Sequence, residues 1–317
     1  MGFEALLGNE QLKENLISSL RKGHISHFYL ISGPEGSGKH TLAKLLAQAI
    51  LCKGEQKPCG RCLACKKVLD GNHPDFITVD DPEKKTVTVD LIREARADMY
   101  IIPNESDHKI YLFPRAQDMG LPGQNALLKV LEEPPKYGVF LLLTDNPDKL
   151  LPTVRSRCTE LSLRPLPERA LLKELSARFP EAEEDQLEAA VLRSGGFLGQ
   201  ALELLNSDCV IDPQTEAFIS AFAEKNSLEL VRVLVPLEKS KRDSLLNLLE
   251  QWLEIMEEAL ICRSGVRTVS PLSRKLASAR SSGELYEAAE ILRKAMDYVG
   301  SNVSPAAVSG YLSWALR

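Results

Sequence analysis

The chain has 317 residues, more than one hydrophobic core usually serves, so two or three domains are expected. Its 44% hydrophobic and 26% charged residues exclude a disordered or fibrous chain. The 39 basic against 44 acidic residues, a net charge of −5, disfavour binding to nucleic acid through a basic surface of its own. No apolar run reaches the roughly 18 to 20 residues that span a bilayer. The opening MGFEALLGNEQLKENL also lacks a basic start followed by an apolar stretch, so a cytoplasmic protein with no membrane partner is expected.

In chain order, apolar runs at 27–32, 75–79, 109–113, 139–144 and 159–163 predict five buried parallel strands. Helical spacing at 41–51, about 89–99 and 123–133 falls between them, which implies an α/β sheet flanked by helices. After Arg164-Pro165-Leu166-Pro167 the spacing is helical only, with three short helices broken at Pro180 and at Gly195-Gly196. A second change falls at 208–213. Beyond it, Leu245, Leu249, Trp252, Met256 and Leu260, then Leu285, Ala289, Leu292, Met296 and Val299, mark amphipathic helices. Ser304-Pro305 supplies an N-cap and a first-turn proline for a last helix. Nothing in this third part suggests chemistry.

The first strand runs into Gly33-Pro34-Glu35-Gly36-Ser37-Gly38-Lys39-His40-Thr41 and then an apolar helix. This is the G-x-x-x-x-G-K phosphate loop in its strand–loop–helix setting. Gly33, Gly36 and Gly38 let backbone amides converge on phosphate, and Lys39 would meet the outer phosphates. The next residue should carry the hydroxyl that ligates Mg²⁺, and here it is His40. Thr41 comes one position late, and on a helix that slip turns a side chain by about 100°. The loop therefore reads as vestigial, with ATP or ADP binding left open.

Cys52, Cys59, Cys62 and Cys65 follow the spacing C-x6-C-x2-C-x2-C. Four thiolates close a tetrahedral zinc shell and leave no position for water, which predicts a structural metal. Cys158, Cys209 and Cys262 stand alone and read as small buried hydrophobes. His73-Pro74-Asp75 reads as a turn. His24, His27 and His108 join no hydrolase motif.

The loop and cysteine cluster are followed by Asn125-Ala126-Leu127-Leu128-Lys129-Val130-Leu131-Glu132-Glu133-Pro134-Pro135. Leu150-Leu151-Pro152-Thr153-Val154-Arg155-Ser156-Arg157-Cys158 comes next, then Ser194 to Ala201. In this order the motifs resemble the bacterial DNA polymerase III clamp-loader subunits of the AAA+ class. The resemblance implies an AAA+ domain at 1–165 with an inserted zinc module at 52–65, a helical lid at 166–208 and an all-α collar at 209–317. It implies a five-membered ring with tau/gamma and delta subunits, working on a sliding clamp and primed DNA through the complex.

Such an ATPase strand ends in an acidic pair, whereas 109–113 is followed by Pro114 and Arg115. The lid arginine expected after Gly196 is Gly199. Arg157, by contrast, stands where the family projects an arginine finger into a neighbour's ATP site. Lost groups in its own site with the finger kept resemble the delta-prime type, a non-catalytic subunit of a DNA-directed DNA polymerase holoenzyme with no ATPase of its own. The alternatives are a catalytic tau/gamma-like ATPase and a zinc protein that binds nucleic acid directly. Thr144 and Asn146 are candidate phosphate sensors in the family, and strand-end caps by local chemistry.

Overall fold

The computed structural model describes residues 2–81, 83–84, 86–206, 212–264, 270–301 and 303–316. Cys209 and the expected boundary at 208/209 lie outside these residues. The chain divides into two compact units, residues 1–175 with 193–204, and residues 176–192 with 205–317.

In the first unit the strands β1 (Phe28–Ser32), β2 (Phe76–Thr78), β3 (Lys109–Phe113), β4 (Gly138–Thr144) and β5 (Thr159–Ser162) form one parallel sheet in the order β2-β3-β4-β1-β5. The three inner strands are buried along their whole length, as uninterrupted apolar runs such as Phe28-Tyr29-Leu30-Ile31 require. The edge strand β5 shows the alternation of a half-solvated strand. Helices α1 (Glu10–Arg21), α2 (Lys39–Leu51), α3 (Leu63–Leu69), α4 (Val89–Asp98), α5 (Leu121–Glu132) and α6 (Pro152–Arg155) connect and flank the strands. One core packs Leu42, Leu46 and Ile50 against Ile31, Leu141 and Leu143, and the other packs Ile92, Leu127 and Val130 against Leu30, Tyr111 and Phe140. Alternate residues of one strand thus feed opposite cores, giving the helix-flanked α/β sheet that the sequence predicts.

The differences from the sequence reading are local. Helices α1, α3 and α6 lie where no helix is assigned from spacing, α3 overlapping the end of the cysteine segment. Strand β2 is shorter than 75–79, although the Asp75 carbonyl still accepts from the Ile110 amide and the Val79 amide donates to the Leu112 carbonyl, while the Asp75 carboxylate takes the amides of Asn104, Glu105 and Ser106. Helices α7 (Glu168–Arg178), α8 (Glu184–Arg193) and α9 (Leu198–Asn206) keep the expected breaks at Pro180 and Gly195-Gly196.

The second unit is all-helical beyond 212, with α10 (Pro213–Ala223), α11 (Ser227–Leu234), α12 (Arg242–Arg263), α13 (Pro271–Ala279), α14 (Ser282–Gly300) and α15 (Pro305–Ala315). Leu245, Leu249, Trp252 and Met256 of α12 and Leu285, Ala289 and Leu292 of α14 share one core. Trp252 stacks on Phe218 with ring centroids 3.7 Å apart and donates its indole N–H to Thr215 at 3.1 Å. The Ser304 hydroxyl accepts from the Ala307 amide at 3.4 Å, the cap expected at α15. Among the described residues no helix is long and apolar enough to cross a membrane.

Candidate functional site

Parallel pairing builds the site at the carboxyl ends of the strands. Ser32 of β1 is opposite Thr144 of β4, and the Gly33 amide donates to the Thr144 carbonyl at 3.2 Å. The next residues of both strands, the phosphate loop and Asp145, therefore emerge side by side. Gly36 and Gly38 take φ of +72° and +94°, a left-handed backbone open to glycine, and Gly38 leads directly into α2. The loop has the geometry that its sequence predicts.

Lys39 is buried, and its ammonium donates to the carbonyls of Gly33 at 2.7 Å and Pro34 at 2.8 Å. It also pairs with Asp145 Oδ1 at 2.5 Å. The other oxygen of Asp145 accepts from Gln117 Nε2 at 3.2 Å. His40, where the Mg²⁺ hydroxyl belongs, has its imidazole pushed below its ordinary pKa by burial and by the charges of Lys39 and Lys44. Thr41 is half-buried in the first turn of α2.

The start of α9 touches this loop. The Gly199 amide donates to the Gly36 carbonyl at 2.9 Å, and a Cβ on Gly199 would stand 2.5 Å from Gly36 Cα. This contact is backbone against backbone.

At the neighbouring strand ends, Arg115 follows β3 and turns to the acids after β2. Its guanidinium donates to Asp80 Oδ1 at 2.6 Å and 3.2 Å and to the carbonyls of Asp81 and Lys84. A cation committed to three protein partners stands where an ATPase needs anions for its metal. Thr144 accepts from the Asn146 amide at 3.2 Å and Asn146 from the Asp148 amide at 2.9 Å, so both act as local caps.

Arg157 lies in the turn between α6 and β5, away from its own loop in sequence and 40% exposed at its side chain. It donates to the Thr153 carbonyl at 2.9 Å and pairs loosely with Glu132 at 3.6 Å. Asp145 and Glu132 are the charged partners that sequence reasoning missed. The only signal available was Asp145's place after an apolar strand, between the two residues weighed as sensors.

The four cysteines converge. Their sulfurs lie within 4.8 Å of one another, with Cys52–Cys62 at 3.9 Å and Cys59–Cys65 at 4.0 Å. A tetrahedron of thiolates about 2.3 Å from zinc has edges of roughly 3.8 Å, so the donor set and spacing fit that metal. Amides of Gly54, Cys62 and Cys65 point at the sulfurs of Cys52, Cys59 and Cys62. The amides of Arg61 and Cys62 draw the Cys59 thiol down to about 6, whereas burial pushes the Cys65 thiol up. Gln48 of α2 donates to the Cys65 carbonyl at 2.8 Å, and Lys53 and Lys67 both reach Glu105, which ties the module to the loop before β3. His73 accepts from the Asp75 amide through Nδ1 and stays a turn residue. Cys158 and Cys262 are half-buried at the rims of their cores, less enclosed than expected.

Fold and site define a phosphate-loop AAA+ unit carrying a cysteine module. The family described as DNA polymerase III, delta subunit, matches residues 8–167. The delta' subunit of Bacillus subtilis is 30% identical over 244 residues, covering 77% of this chain and 69% of that protein. The tau subunit of the same organism is 33% identical over 210 residues, which are 64% of this chain and 37% of that protein. The chain thus spans little more than a third of that tau subunit's length. A Thermotoga maritima protein described as gamma-subunit related covers 95% of this chain and 99% of its own, with 19% identity and a TM-score of 0.47. The chain belongs to the clamp-loader subunit family of DNA polymerase III.

Proposed function

We propose that this chain is a non-hydrolysing, delta-prime-type subunit of a cytoplasmic clamp-loader complex. It assembles with tau/gamma and delta subunits in a five-membered ring and helps place a sliding clamp on primed DNA. In this reading residues 166–208 are the lid, 209–317 the collar, and Cys52, Cys59, Cys62 and Cys65 hold a structural Zn²⁺ that fixes the module and takes no part in chemistry.

The observation that carries the reading is Arg115. Phosphoryl transfer needs a metal neutralising the β- and γ-oxygens and a group that aligns the attacking water. The two positions after β3 hold Pro114 and an arginine bonded to Asp80, His40 replaces the Mg²⁺ hydroxyl, and Gly199 offers no cation. Arg157 keeps an exposed guanidinium on a short turn, and a neighbour's ATP would supply charge enough to draw it from the loose pair with Glu132. An arginine acting in trans is worth about 10³ to 10⁵ in rate.

Reconstitution with tau/gamma and delta subunits tests this. Arg157→Ala leaves folding and assembly intact but lowers ATP turnover and clamp loading, and unchanged turnover removes the finger. The rival tau/gamma-like reading draws on the 33% identity to a tau subunit. It requires ATP turnover by the isolated chain that Lys39→Ala abolishes, where the delta-prime reading expects none above background.

A further inference from the structure

The phosphate loop has the backbone of an anion site, yet its lysine is already satisfied. An ammonium carries three protons. Lys39 gives them to three acceptors of its own chain, the carbonyls of Gly33 and Pro34 and the carboxylate of Asp145. The two carbonyls belong to the loop itself. Asp145 does not, and it is the only one of the three that brings a full negative charge.

Its position follows from the sheet. Because Ser32 pairs with Thr144, the residue after β4 is delivered beside the mouth of the loop after β1. Asp145 is held there from both sides, by Lys39 on Oδ1 and Gln117 on Oδ2, so its carboxylate is oriented and does not sweep freely through solvent. A phosphate loop's lysine ordinarily receives the outer phosphate oxygens. Here that place is filled by a side chain of the same sign as the ligand. An incoming nucleotide would have to detach the carboxylate from Lys39 and then bind beside it, and like charges a few ångströms apart near a protein surface repel strongly.

We propose that Asp145 occupies the terminal-phosphate seat on Lys39 and is the residue that sets the loop against nucleoside triphosphates. This deepens the reading of residues 33–39 as a vestigial phosphate loop and rests on it, while making no use of Arg157. The loss of nucleotide is thereby an active exclusion by one carboxylate rather than a decay of the loop. The glycines, the helix terminus and Lys39 remain competent beneath it.

Fluorescence titration of the full chain with mant-ATP and mant-ADP in magnesium buffer tests the proposal. Asp145→Asn, which keeps shape and removes charge, is expected to bind mant-ATP about tenfold or more tightly than the unaltered chain. The gain should be larger for mant-ATP than for mant-ADP, and adding Lys39→Ala to Asp145→Asn should abolish it. Asp145→Ser, with a smaller neutral side chain, is expected to gain likewise and guards against a defect peculiar to one variant. Equal affinity of the unaltered chain and both neutral variants overturns the proposal, as does a gain that survives Lys39→Ala or that is no larger for the triphosphate. These outcomes are read from binding to the isolated chain. They are separate from turnover by the reconstituted complex, on which the delta-prime reading stands or falls.

Discussion

Gly199 allows the start of α9 to lie directly on the phosphate loop, and Gly199→Ala measures that contact. The added Cβ would stand 2.5 Å from Gly36 Cα, 2.6 Å from its carbonyl oxygen and 2.9 Å from its carbonyl carbon, against the roughly 3.5 to 4.0 Å of an ordinary contact. All three atoms are backbone, so no side chain can swing aside, and the loop and the helix start must part by about 1 Å. Gly199 takes no left-handed φ, so the penalty is steric crowding rather than backbone strain. Overpacking costs about 1 to 3 kcal/mol. Losing the 2.9 Å bond from the Gly199 amide to the Gly36 carbonyl adds about 1 kcal/mol. The better helix propensity of alanine returns up to about 1 kcal/mol. The net is about 1 to 4 kcal/mol of easier local opening, or roughly 5- to 900-fold faster amide exchange. Hydrogen exchange with mass spectrometry resolves peptides covering 33–41 and 196–206. Fluorescence is the wrong reporter, because both tryptophans, Trp252 and Trp314, lie in the other unit. Gly310→Ala is the control, since Gly310 is exposed in α15 with no atom within 4 Å of its added Cβ. Unchanged protection at 33–41 in Gly199→Ala would refute the close approach.

Asp75→Asn should destabilise the first unit by about 2 to 4 kcal/mol, because the part-buried amide donors of Glu105 and Ser106 lose a carboxylate oxygen at 2.8 Å and 3.0 Å. Burial would raise the Asp75 carboxyl, but the amides of Asn104, Glu105 and Ser106 outweigh it and hold the group below its ordinary value. The unfolded chain therefore binds this proton more readily than the folded one. The contribution is present in full above an unfolded pKa of about 3.9 and is lost as pH falls through the lower folded value. In urea denaturation followed by far-UV circular dichroism, the gap between the unaltered chain and Asp75→Asn should narrow below about pH 4, and a constant gap would count against the assignment. Stripping metal with a strong chelator should release zinc close to one per chain, after which iodoacetamide reaches Cys59, drawn down to about 6, before buried Cys65. Mass spectrometry showing Cys65 alkylated first would contradict that order. Trp252→Ala removes the ring stacked on Phe218 and should cost the helical unit about 3 to 5 kcal/mol by the same denaturation assay, where a change under about 1 kcal/mol would mean that the cavity refills.

Much of the scaffold was legible because burial on both faces leaves a plain trace. Strands β1, β3 and β4 are uninterrupted apolar runs, and their limits were read to within a residue or so. Helix α1 went unread although Leu12, Leu16, Ile17 and Leu20 share one face, because of these only Leu16 is buried and charged and polar residues interleave them. Helix α3 is seven residues long and held by the Cys62 cap and the Gln48 contact, neither of which shows as periodicity. The cysteines were legible as a set because thiolate spacing is local. The charged partner of Lys39 was not, since Asp145 lies more than a hundred residues away in the chain.

The sequence by itself determined the α/β class, the phosphate-loop and cysteine motifs, and the missing groups, because each is carried by residue type at short spacing. The side chains of Pro114 and Arg115 offer no anionic ligand to a metal in any fold, and Gly199 cannot reach a phosphate with a side chain that it lacks. Tertiary structure alone decided what those residues do instead. The register of β1 against β4 brought Asp145 to Lys39, the strand order placed Arg115 against Asp80, and two glycines let α9 close on the loop. Those pairings depend on which strand ends are neighbours in the sheet, and chain order carries no record of that.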